Sequence, residues 1–324
     1  MIAVISTAND SHFQCVAEEL RRMGKDARLV ELHRLGNGAR LSMSFGGCSQ
    51  KWSDPGRAAV DFDDVECIWY RRPYPAVLVP PLSAKNDGDW AIREWREAVT
   101  SVLMSSKAYF VSNPWAQQLA AMKVYQLRLA QEEGLQIPDT VMTNDADVAR
   151  AFVRKHRGRV IHKCVKSPRD RWVPTNRWQD DDDAELHWLY MSPTFFQEEI
   201  VAPHELRITL VGRELFAARF PVPVGVTDAR PLLDLPYVEH RLPDDVASRL
   251  LALMTRLELR FGTIDMRQRE DGSYVFLEVN PQGQFLFVEI KTGMPITRAV
   301  AELLARVGGP LGRKACESRS ASEA

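Results

Sequence analysis

The chain has 324 residues, with 42 Lys and Arg against 43 Asp and Glu, a formal net charge of −1 and 45% hydrophobic residues. That length suggests two or three domains' worth of core, and the composition is that of a soluble globular protein. The charge balance argues against a general nucleic-acid or anionic-membrane surface. No apolar run approaches the ~20 residues of a membrane helix, and the start, MIAVISTAND, lacks the basic n-region of a signal peptide. Cys15, Cys48, Cys67, Cys164 and Cys316 are scattered without C-x-x-C spacing. They read as free thiols of a cytoplasmic protein rather than disulfides or zinc ligands.

In chain order, residues 2–6 read as a buried strand. A helix over 11–23 follows, with Val16, Leu20 and Met23 at helical spacing and Gly24 as its C-cap. A second strand over 27–32 completes a β-α-β opening that suits a small α/β domain. It carries no G-x-G-x-x-G, so no dinucleotide site is indicated. Residues 36–55 are irregular around a strand at 41–45. A strand over 65–73 runs into Arg71 and Arg72, which either bind a carboxylate or phosphate or lie on a surface turn. Residues 90–106 look helical and 109–111 form a short strand. Asn113-Pro114 opens a single helix reaching Glu133, with proline in its first turn. Leu119, Met122, Leu127 and Leu129 form its buried stripe. Lys123 lies beside that stripe, where a lysine ordinarily snorkels to solvent.

A second α/β unit begins near Thr140: a strand over 141–143, a helix over 145–155 capped by Asn144 or Thr143, and a strand over 159–165. Lys163 shares its parity with Ile161 and Val165. It therefore points inward, and a buried lysine needs an anion. Residues 166–185 lack apolar periodicity, and Asp180 to Asp183 read as a solvated loop. A strand over 194–201 includes Glu198, Glu199 and Ile200. Glu205 and Arg207 then alternate onto one strand face, with Leu206 on the other. An acid there can hold hydroxyls and an arginine can bridge phosphate oxygens, or the two make an ion pair within the strand. A strand covers 215–220. Asp228-Ala229-Arg230, by itself, reads as a surface ion pair in a loop. A helix over 243–260 buries Val246, Leu250, Leu253, Met254 and Leu257. A last helix spans 295–307, and the chain from Gly308 is small, polar and charged, the composition of a frayed tail.

The most informative stretch is 261–293, FGTIDMRQREDGSYVFLEVNPQGQFLFVEIKTG. Asp271-Gly272 predicts a two-residue type I′ hairpin in which Glu270 pairs with Ser273 and Asp265 falls opposite Glu278. Period-two alternation then puts Asp265, Arg267, Phe276, Glu278 and Asn280 on one face and Ile264, Met266, Val275, Leu277 and Val279 on the other. Two carboxylates about 4 Å apart repel by roughly 4 kcal/mol at an effective dielectric of 20. Either the acids face water, or a hard cation such as Mg²⁺ removes the penalty. Pro281 ends the strand, and Gly283 permits an unusual backbone in the loop that follows.

The D-M-R run at 265–267 and the F-L-E-V-N-P-Q-G run at 276–283 resemble the C-terminal metal motif of ATP-grasp ligases. The longer string to Gly293 is similar to the peptide ligases of graspetide, or microviridin-type, biosynthesis. So are SNPWAQQLAAMKVYQLRLAQEEGLQIPDT at 112–140, the stretch 197–212, and Trp-Tyr-Arg-Arg-Pro at 69–73. The resemblance covers about 65–307. It implies an α+β ATP-grasp fold behind an N-terminal pre-ATP-grasp α/β domain. The expected division is 1–112, a central subdomain over 113–200, a C-terminal subdomain over 201–307 and a tail over 308–324.

The resemblance implies roles residue by residue. Asp265, Glu278 and Asn280 hold Mg²⁺. Lys123 and Lys163 reach the phosphates of ATP. The backbone at Glu198, Glu199 and Ile200 reads adenine, and Glu205 holds the ribose. Arg207, Asp228 and Arg230 serve the reaction, the last two on the peptide. The loop at 166–185 lacks the glycines usual in the family, and Ala229 stands where tryptophan is common. The implied activity is ATP-dependent macrocyclisation: an Asp or Glu side chain of a ribosomal precursor peptide, leader plus core, is phosphorylated and joined to a Ser, Thr or Lys side chain as a lactone or lactam. Nucleic acid and membrane are not expected partners, and a homodimer is left open. Two other readings stand beside it: an ATP-grasp ligase acting on free amino acids or a protein tail, and a nucleotide-binding module without catalysis.

Overall fold

In the computed structural model the described residues are 1–45, 49–74, 85–166, 173–223, 225–227 and 234–307. The chain opens with β1 (Ile2–Ile5), α1 (Ser11–Arg22) and β2 (Ala27–Val30). The Asp10 side chain caps α1 by accepting from the His12 N–H, and Gly24 takes φ +69° just past its end. A small antiparallel sheet follows: β3 (Arg40–Ser44), β4 (Ser49–Ser53) and β5 (Val60–Asp61). Then come β6 (Cys67–Tyr70), α2 (Lys85–Ser105) and β7 (Tyr109–Val111). The order β2-β1-β6-β7, parallel throughout, is the open α/β sheet that the β-α-β start predicts.

The single helix expected from Pro114 to Glu133 is two: α3 (Pro114–Ala120) and α4 (Lys123–Glu132). Met122 between them is extended, at φ −80° and ψ 107°. Leu119 and Met122, expected in the buried stripe, are 47% and 48% exposed. Leu127 and Leu129 are buried as expected. The break is held by the buried Gln126, whose Nε2 donates to the Ala120 carbonyl at 3.0 Å. That bond satisfies a helix-end carbonyl that has no partner inside its own helix. One extended residue turns the chain without disturbing the composition, so apolar periodicity does not reveal it.

Next come β8 (Thr140–Thr143), α5 (Ala146–Lys155), β9 (Val160–Cys164), β10 (Asn176–Arg177), α6 (Asp182–Glu185) and β11 (Thr194–Glu198). They form an antiparallel sheet in the order β10-β9-β11-β8. The cap of α5 is Asp145 rather than Asn144 or Thr143; its carboxylate accepts from the Asp147 and Val148 N–H groups. Part of the acid run is structured: α6 takes Asp182 and Asp183, and Asp183 accepts from Arg150 Nε at 2.9 Å.

A third sheet is antiparallel in the order β14-β13-β12-β15-β16. Its strands are β12 (His204–Val211), β13 (Glu214–Pro221), β14 (Val238–Glu239), β15 (Phe261–Gln268) and β16 (Tyr274–Asn280). Helix α7 (Asp244–Arg256) precedes β15 and ends four residues before the predicted limit; Glu258 reverses the chain at φ +55°. Helix α8 (Leu286–Thr292), which sequence patterning does not reveal, and α9 (Ile296–Val307) follow β16. One core joins α4, α7, β12, β15 and β16. Another joins β1, α1 and β6 to Phe285, α8 and α9, so the end of the described chain packs on its beginning.

The β15–β16 hairpin differs from the prediction in two places. The Gly272 N–H reaches the Arg269 carbonyl at 3.0 Å and Arg269 N–H reaches Ser273 O at 2.9 Å, giving a three-residue loop with Gly272 at φ +83°. Met266 then pairs with Phe276, but beyond a bulge Asp265 pairs with Glu278. Phe276 therefore joins the Ile264, Met266 and Val279 core, while Val275 and Leu277 cluster with Ile200 and Ala202. Phe276, Val275 and Leu277 stand on the faces opposite to those expected, because one extra loop residue inverts parity and the bulge restores it before Glu278.

Candidate active site

A cavity of about 400 Å³ is lined by residues of the four-stranded and the five-stranded antiparallel sheets. Lys123, Lys163, Glu198, Glu199, Ile200, Glu205, Asp265, Glu278 and Asn280, all predicted from sequence, are in its wall. Arg207 is not a wall residue but is bonded to one: its Nη1 donates to both Asp265 oxygens, at 2.7 and 2.9 Å. Asp228 and Arg230 lie outside the described residues.

Asp265 and Glu278 are cross-strand partners on β15 and β16, a relation that brings side chains within about 5 Å at Cβ. Each is held by a cation. Lys123, first residue of α4, donates from Nζ to Glu278 Oε2 at 3.0 Å, so the α3–α4 break is what delivers the lysine to the carboxylate. Arg207 is the register partner of Asp265 on β12, and its Nη2 also donates to the Gln284 carbonyl at 3.2 Å. Asn280 Oδ1 accepts from the Gln282 N–H at 3.0 Å. Among the described residues no group of three or more His, Cys, Asp and Glu is gathered for a metal ion. Two carboxylates and an amide do not close around an ion, but they fit Mg²⁺, which keeps waters and phosphate oxygens in its shell.

Glu205 and Arg207 do share a face, yet they pair across the ladder rather than with each other. Arg207 takes Asp265, and Glu205 Oε2 accepts from Arg267 Nε at 3.3 Å. Arg267 is buried and also donates to the Ile200 carbonyl at 2.6 Å and the Thr227 carbonyl at 2.9 Å. It thus ties β15 to the chain after β11 and to the segment just before Asp228. Sequence alternation places Arg267 on the Asp265 face without suggesting this role.

At the end of β11 the Glu199 N–H is donated to the Arg159 carbonyl at 3.0 Å. The Glu199 side chain is buried under Arg177, whose Nε lies 2.9 and 3.0 Å from its two oxygens. Lys163 on β9 donates to Gln197 Oε1 at 3.1 Å. Gln126 was not singled out by sequence either: its Oε1 accepts from the Val279 N–H at 2.6 Å, fixing β16 between Glu278 and Asn280. A glutamine inside a helix carries no sequence signal for that.

Of the arginine pair, Arg71 is buried and lies on no surface turn; its Nη1 donates to the Gln282 carbonyl and its Nε lies 3.7 Å from Asp10 Oδ2. Burial pushes its guanidinium down to about 10, against the pull of Asp10. Gly283 is not among the positive-φ glycines, so it does not use the left-handed backbone that glycine permits. Its reason is space: a Cβ there would stand 1.7 Å from Thr263 Oγ1.

No protein-family profile and no curated protein matches the chain. Solved structures do. The macrocyclase MdnC from Microcystis aeruginosa MRC, bound with precursor peptide MdnA, is similar at TM-score 0.87 and 26% identity, covering 94% of this chain and 99% of that one. A Chryseobacterium gregarium RiPP-associated ATP-grasp ligase, in complex with ADP and a leader and core peptide, gives 0.85 and 28%, over 94% and 96%. The ATP-grasp ligase PsnB, complexed with a phosphomimetic variant of minimal precursor, Mg and ADP, gives 0.75 over 94% and 97%; at 22% identity it speaks for the fold alone. The chain has the ATP-grasp fold and, over 94% of its length, is similar to ATP-grasp ligases of ribosomal peptide modification.

Proposed function

We propose that this protein is an ATP- and Mg²⁺-dependent macrocyclising ligase. It would join Asp or Glu side chains of a ribosomally made precursor peptide to its Ser, Thr or Lys side chains, as lactones or lactams. The observation that carries the reading is the pairing of Asp265 with Glu278, each bonded to a cation, in the wall of a cleft between two antiparallel sheets. The similarity to two ligases in complex with peptide favours it over a ligase of free amino acids or protein tails.

Asp265, Glu278 and Asn280 would hold Mg²⁺, which when bound neutralises phosphate charge as a Lewis acid. Lys123 and Lys163 would take phosphate oxygens. The Glu199 N–H donates to the Arg159 carbonyl and the Ile200 carbonyl accepts from Arg267, so the Glu199 carbonyl and the Ile200 N–H, which make no hydrogen bond among the described residues, would be the hinge groups that read an adenine edge. Glu205 would hold the ribose. A peptide carboxylate takes the γ-phosphoryl group and ADP leaves. A hydroxyl or amine of the same peptide then attacks the acyl carbon and phosphate leaves, so each link costs the peptide one water. Arg207 would stabilise the transferring charge. Arg230 would orient the carboxylate and Asp228 accept the attacker's proton. We assign the division into 1–112, 113–200, 201–307 and 308–324 to the same reading, and a cytoplasmic site of action. Among the described residues no helix is long and apolar enough to cross a membrane.

The test is mass spectrometry of precursor, ATP and Mg²⁺ with the enzyme. Loss of one water per link, with ADP release, is expected; ester links open in mild base and amides do not. A product heavier than the precursor by an added amino acid would overturn the reading in favour of the free amino-acid ligase.

A further inference from the structure

The loop between Asn280 and α8 is held mainly by side chains of the first 117 residues. Arg71 donates to the Gln282 carbonyl, and Gln117 Oε1 accepts from Gln282 Nε2 at 2.9 Å. His12 Nε2 accepts from the Phe285 N–H at 3.1 Å and lies 3.4 Å from the Leu286 N–H. From the site's own sheet come Arg207, reaching Gln284 O, and the adjoining Asn280, whose Oδ1 accepts from the Gln282 N–H.

His12 is suited to that acceptor role by its other nitrogen. Nδ1 stands 3.2 Å from Asp10 Oδ1, and Asp10 Oδ2 accepts from Ser6 Oγ at 2.7 Å. With the proton on Nδ1 and given to Asp10, Nε2 keeps a lone pair for the backbone. A protonated ring would set an N–H against two N–H donors. Burial pushes the imidazole below its ordinary value, which favours the neutral form; Arg71 and Arg72 add to this and Asp10 opposes it. The ring also meets Phe285 edge-on, centroids 4.7 Å apart.

Resting on the reading above, we infer that His12, oriented by Asp10, is a positioning residue of the Mg²⁺ site. It fixes the chain five residues past Asn280, and beside it the Gln284 carbonyl that Arg207 binds while pairing with Asp265. The bland alternative is a satisfied core histidine that serves stability alone.

Three measurements separate them: Mg²⁺ affinity of ADP-saturated enzyme by calorimetry, ADP affinity in chelator without metal, and thermal melting. His12→Phe keeps a ring and loses the acceptor; His12→Gln keeps an acceptor and a donor. His12→Phe should weaken Mg²⁺ binding tenfold or more and leave metal-free ADP affinity within about twofold. His12→Gln should recover Mg²⁺ affinity to within about threefold. Unchanged Mg²⁺ affinity in His12→Phe, a parallel loss of metal-free ADP affinity, or a folded His12→Gln that does not recover would overturn the inference. If His12→Phe does not fold, His12→Leu replaces it, and failure of both to fold would mark His12 as a core residue only. A wild-type protein that binds no Mg²⁺ with ADP would instead refute the nucleotide reading beneath it.

Discussion

Lys123→Met should move two affinities in opposite directions. Lys123 Nζ lies 3.0 Å from Glu278 Oε2, with side chains 22% and 29% exposed. The bare Coulomb attraction at that distance is about 5 kcal/mol at an effective dielectric of 20, but exposure, screening and side-chain entropy reduce such pairs to about 1 kcal/mol or less. The lysine therefore competes with a metal ion for Glu278 only weakly. Removing it should tighten Mn²⁺ binding in the absence of nucleotide by about fivefold, the equivalent of about 1 kcal/mol. On the proposed reading the same change would delete a charge-assisted bond to phosphate worth roughly 1.5–3 kcal/mol, so ADP should bind about ten- to a hundredfold more weakly. Titration of Mn²⁺ by electron paramagnetic resonance and of ADP by calorimetry reads the two separately. If both affinities fall, Lys123 serves the fold of the metal site rather than exchanging Glu278 for phosphate. If ADP affinity is unchanged, the phosphate assignment is wrong.

Gly283→Ala should prevent correct closure of the post-strand loop, since the new Cβ would meet Thr263 Oγ1 at 1.7 Å and its Cβ and Cγ2 at 2.6 Å. Because all three are atoms of one side chain, Gly283→Ala with Thr263→Gly should recover most of the lost melting temperature, and no recovery would refute the steric account. Gln126→Leu should cost roughly 2–4 kcal/mol in urea unfolding, by stranding the Val279 N–H and the Ala120 carbonyl; a loss under about 0.5 kcal/mol would show the bonds to be replaceable. His12 and Asp10 predict an acid limb in two stages. The lowered imidazole contributes stability above its unfolded value of about 6.5 that is lost as pH falls toward its folded value. Burial works to raise the Asp10 carboxyl, but the His12 and Ser6 hydrogen bonds and the Arg71 charge hold it well below the usual range, so its contribution is lost below about pH 4. Urea unfolding across pH should lose the upper stage in His12→Gln. Asp228→Ala and Arg230→Ala should slow ring closure tenfold or more with ADP affinity unchanged; a parallel fall in ADP affinity would place them in the nucleotide site instead.

What was legible in the sequence was local chemistry. Alternation alone put Lys163 facing inward and set Glu205 and Arg207 on one face, and all three touch the site. Composition and periodicity could not show long-range contacts of ordinary residues. Gln126 meets Val279 across 153 positions, and His12 meets Phe285 across 273. Arg267 was on the right face, but its hold on Ile200 and Thr227 depends on where two distant loops come to rest. The α3–α4 break was hidden for the opposite reason: its cause is one residue's backbone angle, with a cap supplied by the following helix.

The hairpin shows why a site can be read more securely than the structure around it. A two-residue loop at Asp271-Gly272 predicts Asp265 opposite Glu278. The loop has one residue more, which by itself would set Asp265 opposite Leu277 and turn Glu278 toward the core. The bulge at Leu277 inserts one residue into β16 and returns the pairing to Glu278. The two departures cancel at the carboxylates and nowhere between them, which is why Phe276 exchanges faces with Val275 and Leu277. Selection of the bulge follows from what each register would bury. Without it, Leu277 would pair with Asp265, and Glu278 would pair with Ile264 and be carried to the Ile264, Met266 and Phe276 side, where all three neighbours are fully buried. A carboxylate there has no cation within the described core, and burying it unpaired costs several kcal/mol. On the cavity side Glu278 has Lys123 at 3.0 Å. The ladder irregularity is therefore the cheaper error for the chain to make, and the pairing of the two acids is what the bulge preserves.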